Sequence, residues 1–160
     1  MRYLQRKERE QALHYLVLAE QLARQSTCLR KKSAALIVKD DTIHGEGVNS
    51  PPARIPLTVC LKDTLPKDFK SDRTCCVHAE ERAIVDALQR SPHNIQGSRL
   101  YFARINDQGK MITVGQPYCT ICSKLALDVG IEEFVLNHDE GIAVYDTLTY
   151  NELSFQYRQP

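Results

Sequence analysis

Apolar residues recur at helical spacing in three segments of the chain. In residues 7–27 this spacing predicts a first amphipathic helix, with Ala12, Tyr15, Leu16, Ala19, Leu22 and Ala23 on its apolar face. A second helix is predicted from His78 to about Gln89, and its apolar face consists of Ala79, Ala83, Ile84 and Leu88. A third helix is predicted to begin near Cys119 and to end at Gly130, because glycine commonly ends helices.

Short apolar runs between these helices predict strands. Residues 34–38, a turn at Asp40 and Asp41, and residues 42–49 together predict a β-hairpin, which Pro51 and Pro52 end. Residues 98–105 and 131–137 predict two more strands, whereas residues 142–155 have a mixed pattern and residues 51–75 are irregular. The order α-β-β-α-β-α-β predicts a sheet layered with helices, an α/β sandwich.

Length and composition narrow the classes of protein. A chain of 160 residues with 42% apolar residues suits a single domain over residues 1–160. The net charge is +1, which makes nucleic acid an unlikely partner. No run approaches the ~18 apolar residues of a membrane span, and the N-terminal residues lack a signal-peptide pattern, so we expect a cytoplasmic protein.

Two predicted helix starts carry the candidate chemistry. Cys119 and Cys122 are three residues apart, so both thiols face one side, where the helix N-terminus favours thiolate. Zinc prefers sulfur and nitrogen ligands, and a catalytic zinc typically has three protein ligands and an open water position. His78 can be the third ligand if it stands at the very start of its helix. Glu80 then lies in the first turn, where a carboxylate can accept and pass on a proton.

Other interpretations of these residues remain open. The two cysteines could be a redox pair, or they could belong to a structural zinc site whose fourth ligand is Cys75 or Cys76. Glu80 could be an ordinary first-turn glutamate that the helix dipole favours. Buried, inert thiols are the expectation for Cys28, Cys60, Cys75 and Cys76, and a second zinc on some of them is the alternative.

These motifs carry a family resemblance. The sequence HAE at residues 78–80, followed by a proline-preceded C-x-x-C, resembles the zinc-dependent cytidine and deoxycytidylate deaminase superfamily. Residues 26–52 are similar to the opening hairpin of the deoxycytidylate branch. The chain departs from the family at Tyr118, which separates Pro117 from Cys119, and at Arg82, where deoxycytidylate deaminases commonly have asparagine.

The resemblance implies a cytidine-deaminase-like fold, a three-layer α/β/α sandwich with one mixed sheet of about five strands. It implies Zn²⁺ held by His78, Cys119 and Cys122, with Glu80 as the catalytic proton shuttle. It also implies homo-oligomers, and a substrate pocket that includes three further residues, Asn49, Ala79 and Pro117.

The predicted function is hydrolytic deamination of a cytosine-type nucleoside or nucleotide, with release of ammonia. The alternatives are a deaminase of guanine, adenine or tRNA adenosine, and a non-catalytic zinc-stabilised binding module of the same fold. We further predict a preference for a 5′-monophosphate, because basic residues are frequent in the irregular segment: Arg54, Lys62, Lys67, Lys70 and Arg73.

Overall fold

The structure, a computed structural model, describes residues 1–66 and 75–157. Four α-helices lie in these ranges: α1 (Arg6–Ala23), α2 (Ala79–Arg90), α3 (Thr120–Asp128) and α4 (Thr147–Gln156). The strands in the same ranges are β1 (Arg2–Tyr3), β2 (Lys32–Lys39), β3 (Thr42–Val48), β4 (Arg99–Ile105), β5 (Met111–Ile112), β6 (Glu133–His138) and β7 (Gly141–Asp146).

The strands form one mixed sheet. Their order is β1-β7-β6-β4-β2-β3, and β5 pairs with β4 outside this path. The β4–β6 pair is parallel, and the other pairs are antiparallel. The predicted β2–β3 hairpin turns at Asp40 and Asp41, whose φ angles of 50° and 55° lie in the left-handed region that aspartate enters more readily than most residues.

The helices cover both faces of the sheet and create two apolar cores. On one face, α1 buries Ala12, Leu16 and Ala19 against β2, β4, β6 and β7. On the other face, α2 packs with α3 and α4 over a second core, which includes Ile37 and Phe134 of the sheet. Strands β2, β4, β6 and β7 contribute alternate residues to the two cores. The predicted three-layer α/β/α sandwich is therefore confirmed.

The predicted sheet of about five strands is wrong, because the described residues form seven. Strand β1 has two residues, too few for a periodic pattern, and β5 follows the hairpin-like turn that residues 106–110 indicate after β4. The mixed tail divides into β7 and α4, with Asp146 capping α4 through the backbone N–H of Thr149. In α2 the buried apolar side chain of the last turn is Ala87 rather than Leu88, which is 45% exposed. None of the helices in the described residues is long and apolar enough to span a bilayer.

Close packing of α2 on β3 places the start of α2 at the end of the sheet. A Cβ atom on Gly47 would collide with the backbone oxygen of Ala79 and the backbone nitrogen of Ala83. A Cβ atom on Gly45 would collide with the backbone oxygen of Ala83 one turn later. The two glycines therefore let the helix axis approach the strand more closely than any larger residue would allow.

Candidate active site

The N-terminus of α2 positions the predicted histidine and glutamate. His78 is the N-cap residue, with φ −71° and ψ 157°, and so lies outside the helical turn as the sequence predicted. Its backbone N–H donates to Glu81 Oε2 at 2.8 Å, which fixes the entry of the chain into the helix. Glu80 lies in the first turn, and only 5% of it is exposed.

The N-terminus of α3 positions the two cysteines. Cys119 is the N-cap residue, and its Sγ accepts the backbone N–H of Cys122 at 3.2 Å. Both cysteines are buried, and their sulfur atoms are adjacent. Metal binding requires the reduced pair, because thiolate is the form of cysteine that binds metal.

His78 joins this pair from the neighbouring helix. Its Nδ1 atom lies 3.2 Å from the Sγ of Cys119 and 3.2 Å from the Sγ of Cys122. The three ligand atoms all lie within 4.8 Å of one another, and no other such group of three or more histidine, cysteine or acidic residues occurs in the described ranges. A redox pair would not require a histidine nitrogen equidistant from both sulfurs, whereas one nitrogen and two sulfurs are a donor set that fits zinc.

Glu80 is placed beside this group without belonging to it. Burial raises the pKa of its carboxyl group, and the neighbouring His78 opposes this shift. Glu80, His78 and Ala79 line the same cavity. A buried carboxyl group next to a three-ligand group, in contact with a cavity, can exchange protons with a molecule bound there.

The cavity has a volume of about 270 Å³. Its walls are formed by residues near the ends of β2, β3 and β4, by the start of α2 and by segments that flank α3 and α4. The residues that line it are Cys28, Arg30, Lys31, Ser33, Asn49, Cys60, Lys62, Cys75, Cys76, His78, Ala79, Glu80, Phe102, Arg104, Tyr118 and Tyr157.

Two of the three predicted pocket residues line this cavity. Ala79 does so from the first turn of α2, and Asn49 does so from the end of β3. Asn49 also holds the chain around it, because its Oδ1 accepts from Ser26 Oγ and from the backbone N–H of Ser33, while its Nδ2 donates to the carbonyl of Lys31. Pro117 is buried and is not among the lining residues. The substrate contacts of all three remain a prediction.

Sequence reasoning missed several lining residues: Arg30, Lys31, Phe102, Arg104, Tyr118 and Tyr157. Arg104 had one available signal, a cation two residues after Phe102 and therefore on the same side of a predicted strand. Tyr118 stands out in the sequence only as a departure from the family pattern. Tyr157 had no signal, since it follows a helix that the sequence did not predict.

The remaining cysteines lie along the same cavity. The Sγ of Cys75 is 3.3 Å from the Sγ of Cys60 and 4.0 Å from the Sγ of Cys76, and Cys28 lines the cavity as well. Cys60 is buried as predicted, whereas the other three are half-buried. Burial raises the pKa of the Cys60 thiol and of the Cys76 thiol. Within the described chain they do not form a second compact ligand group, nor do they join His78, Cys119 and Cys122.

Only one of the basic residues predicted to bind a phosphate is seen to line the cavity. Lys62 lines the cavity, whereas Arg54 does not. Lys67, Lys70 and Arg73 lie outside the described residues. Arg82, the other departure from the family pattern, donates to the carbonyl oxygen of Pro51 at 2.8 Å and so holds the segment that follows β3.

A match to a known family model covers most of the chain. Residues 7–138 match the cytidine and deoxycytidylate deaminase zinc-binding region. The chain belongs to this family. Membership confirms the resemblance drawn from the HAE and C-x-x-C motifs. It also confirms zinc as the cofactor, since His78, Cys119 and Cys122, which belong to these motifs, form a group that could bind it.

Individual relatives agree with the family assignment. The deoxycytidylate deaminase of Mycobacterium phage D29 is 32% identical over 130 residues, which are 76% of this chain and 90% of the phage protein. In fold, the chain is similar to the dCMP deaminase of cyanophage S-TIM5, with a TM-score of 0.57 and 24% identity over 82% of each chain. It is also similar to the cytidine deaminase of Burkholderia pseudomallei, with a TM-score of 0.54 and 16% identity over 86% of this chain and 94% of that one.

Proposed function

We propose that this chain is a zinc-dependent hydrolase that deaminates a cytosine-type nucleotide, with deoxycytidylate (dCMP) as the first candidate. The observation that carries the proposal is the position of Glu80, a buried carboxyl group that lines the cavity beside the group of His78, Cys119 and Cys122. The 32% identity to a phage deoxycytidylate deaminase supports this choice of substrate within the family.

The residues have distinct roles in this proposal. His78, Cys119 and Cys122 hold zinc, which when bound supplies a water activated for attack near neutral pH. Glu80 would carry one proton of the attacking water to the ring nitrogen beside the amino-bearing carbon, and would then carry the proton of the hydroxyl group added to that carbon to the departing amine. The net change adds one water to the cytosine ring and releases one ammonia, which leaves a uracil ring.

The arrangement of the chain explains why Glu80 can act in this way. Residues two apart in a regular helix point to nearly opposite sides, but His78 lies at the N-cap, outside the helix. The extended backbone of His78 therefore allows its ring and the Glu80 side chain to approach one site. Burial excludes bulk water from the carboxyl group, so protons exchange with the bound molecule rather than with solvent.

Ammonia release tests the proposal. Zinc-loaded protein, kept reduced, is assayed with dCMP, CMP, deoxycytidine, cytidine, cytosine, adenine and guanine. We expect release from a cytosine-type nucleotide, and we expect the turnover of Glu80→Gln to fall by about 10²–10⁴-fold, the range for a lost general acid–base group. The matched control is Glu152→Gln, an exposed glutamate of α4.

Two results would contradict the proposal. One is the absence of ammonia from every cytosine compound while the zinc-loaded protein remains folded. The other is native turnover by Glu80→Gln. Homo-oligomerisation and a cytoplasmic location stay predictions from the sequence.

A further inference from the structure

The cavity wall carries an excess of positive charge. The lining residues include the cations Arg30, Lys31, Lys62 and Arg104, whereas Glu80 is the single carboxylate among the described lining residues. Outside the cavity, Asp63 pairs with Arg30 at 3.0 Å. The whole chain has a net charge of only +1, so this concentration of positive charge is local. A wall of this kind attracts anionic ligands.

Arg104 is the cation that the structure holds most firmly toward the cavity. It lies on β4 two residues after Phe102, so the two side chains share one side of the strand. Its Cζ lies 5.7 Å from the centre of the Phe102 ring, within the range of a cation–π contact. In the described residues no carboxylate forms an ion pair with it.

Tyr118 anchors the guanidinium group of Arg104. Arg104 Nη2 donates to the hydroxyl oxygen of Tyr118 at 2.9 Å, whereas its Nε reaches Ser33 Oγ only at 3.5 Å. The Tyr118 ring in turn packs against Tyr157, with 5.7 Å between the ring centres. Tyr118 directly precedes Cys119, so the anchor and the candidate metal group belong to the same short segment. Among the described residues, the Nη1 group of Arg104 has no hydrogen-bond partner and can donate to a ligand.

Lys31 adds a second positive charge next to Arg104. Repulsion by Arg104 is the largest cause that lowers the pKa of the Lys31 ammonium group, followed by burial and by repulsion from Lys62. Lys31 has no carboxylate partner among the described residues. Its backbone carbonyl oxygen accepts a hydrogen bond from Asn49 Nδ2 at 2.6 Å. Glu80 is the one carboxylate in the described lining that acts on Arg104, so the cations of this wall outnumber it and an anion placed between Arg104 and Lys31 is stabilised.

We propose that Arg104, positioned by the Tyr118 hydroxyl group and the Phe102 ring, forms with Lys31 the subsite that binds the 5′-phosphate and selects a nucleotide over its nucleoside. The inference rests on the proposed function. It replaces the basic residues of the irregular segment as the main source of this selectivity. Arginine suits the task because its planar guanidinium group can donate two parallel hydrogen bonds to one phosphate. Tyr118 is a positioning residue, since it acts through Arg104.

Substitutions at the anchor test the subsite through a ratio. For each variant, kcat/KM is measured for dCMP and for deoxycytidine. We expect Arg104→Gln to lower the dCMP to deoxycytidine ratio about 10- to 100-fold, chiefly through KM for dCMP, as expected for a lost charge-assisted hydrogen bond. Tyr118→Phe should lower the ratio less, by about 3- to 10-fold. Arg104→Lys should restore part of it. The matched control is Arg90→Gln, which removes an arginine on α2 that pairs with Asp86.

Binding of the products separates this inference from the proposed function. Calorimetry with dUMP and with deoxyuridine measures phosphate recognition without turnover. Tighter binding of dUMP by the native protein, lost in Arg104→Gln but kept in Arg90→Gln, supports the subsite even if no ammonia is released from any substrate. An unchanged ratio and unchanged dUMP binding in folded Arg104→Gln would overturn the subsite while leaving deamination intact. If Tyr118→Phe lowers kcat/KM for dCMP and for deoxycytidine by the same factor, the positioning role of Tyr118 is overturned.

Discussion

Asn49 donates its side-chain amide to the backbone carbonyl of Lys31, with 2.6 Å between the nitrogen and the oxygen. The same side chain accepts the Ser33 N–H at 2.8 Å and the Ser26 hydroxyl at 2.7 Å. Asn49 therefore joins the end of β3 to the start of β2, the strand that follows Lys31. The residue that the sequence suggested as a substrate contact thus also builds the cavity wall.

Removal of the Asn49 side chain should weaken the fold. Asn49→Ala leaves the Ser33 N–H and the Lys31 carbonyl without their partner, so we expect the free energy of unfolding in urea to fall by about 1–2 kcal/mol. The control is Asn94→Ala, because Asn94 is exposed and its side chain makes no hydrogen bond in the described residues. This substitution should change the free energy of unfolding by less than about 0.5 kcal/mol. Native stability in Asn49→Ala together with weaker substrate binding would instead make Asn49 primarily a substrate contact.

The contact between α2 and β3 gives a second stability prediction. Gly47→Ala places a Cβ atom against the backbone of Ala79 and Ala83, and backbone atoms yield less easily than side-chain ends. We expect the free energy of unfolding to fall by about 1–3 kcal/mol. Because α2 carries Glu80 and begins directly after His78, turnover should fall as well.

The control for this prediction is Gly115→Ala. A Cβ atom there would meet no atom within 4 Å, so stability should remain within about 0.5 kcal/mol of the native protein. Equal stabilities of Gly47→Ala and Gly115→Ala would show that α2 can move away from β3 at little cost.

The sequence predicted the metal-ligand candidates better than the cavity around them. His78, Cys119 and Cys122 were predictable because metal chemistry restricts the residue types and because helix starts impose their spacing. Arg104 and Tyr118 come from different elements, and neither belongs to a motif. Their contact depends on how β4 and the segment before α3 meet in the folded chain, which local patterns do not encode.

The fold shows the same contrast. Helix α1 and the β2–β3 hairpin were predictable because their apolar periodicity is strong and the Asp40–Asp41 turn is typical of hairpins. Strand β1 has only two residues and owes its structure to pairing with β7, in register Arg2 with Val144. Helix α4 contains two threonines in its first turn and lacks a clear apolar stripe, so only its Asp146 cap was a local signal.

The dependence of stability on acid pH should report on the ion pairs between Glu8 and the arginines of β1 and β4. Arg2 and Arg99 donate hydrogen bonds to the Glu8 carboxylate at 2.7–3.0 Å, and the hydrogen bond from Arg2 is the largest cause that lowers the pKa of Glu8 to about 2. A carboxyl group whose pKa is lower in the folded state stabilises that state above its unfolded pKa. The stabilisation is lost as the pH falls toward the folded pKa.

The difference in unfolding free energy between the native protein and Glu8→Gln should therefore be constant above about pH 5 and vanish near pH 2. It should not exceed about 1 kcal/mol, because the Glu8 side chain is 35% exposed and solvent screens the pairs. Glu10→Gln, at an exposed glutamate without an ion pair in the described residues, is the control and should show no such pH dependence. A difference that grows toward low pH would contradict the assignment.

The zinc content of variants distinguishes a metal ligand, His78, from a proton shuttle, Glu80, two residues later. We expect about one zinc per chain in protein purified under reducing conditions, because His78, Cys119 and Cys122 form one group of three ligands and a catalytic zinc typically has three. His78→Ala and Cys119→Ser should lose zinc, since an incomplete ligand set binds it weakly. Glu80→Gln should keep zinc and the native circular dichroism spectrum while losing turnover, because Glu80 lies outside the group.

Cys28→Ser is the matched cysteine control, since Cys28 lines the cavity but is not a member of the group. It should retain one zinc per chain. Two equivalents in the native protein, reduced to one in Cys28→Ser, would show that Cys28 joins other cavity cysteines around a second ion, which would require Cys60, Cys75 or Cys76 to move. Loss of zinc from Glu80→Gln would make Glu80 a ligand, and the proton transfer would then have to be assigned to another group at the cavity.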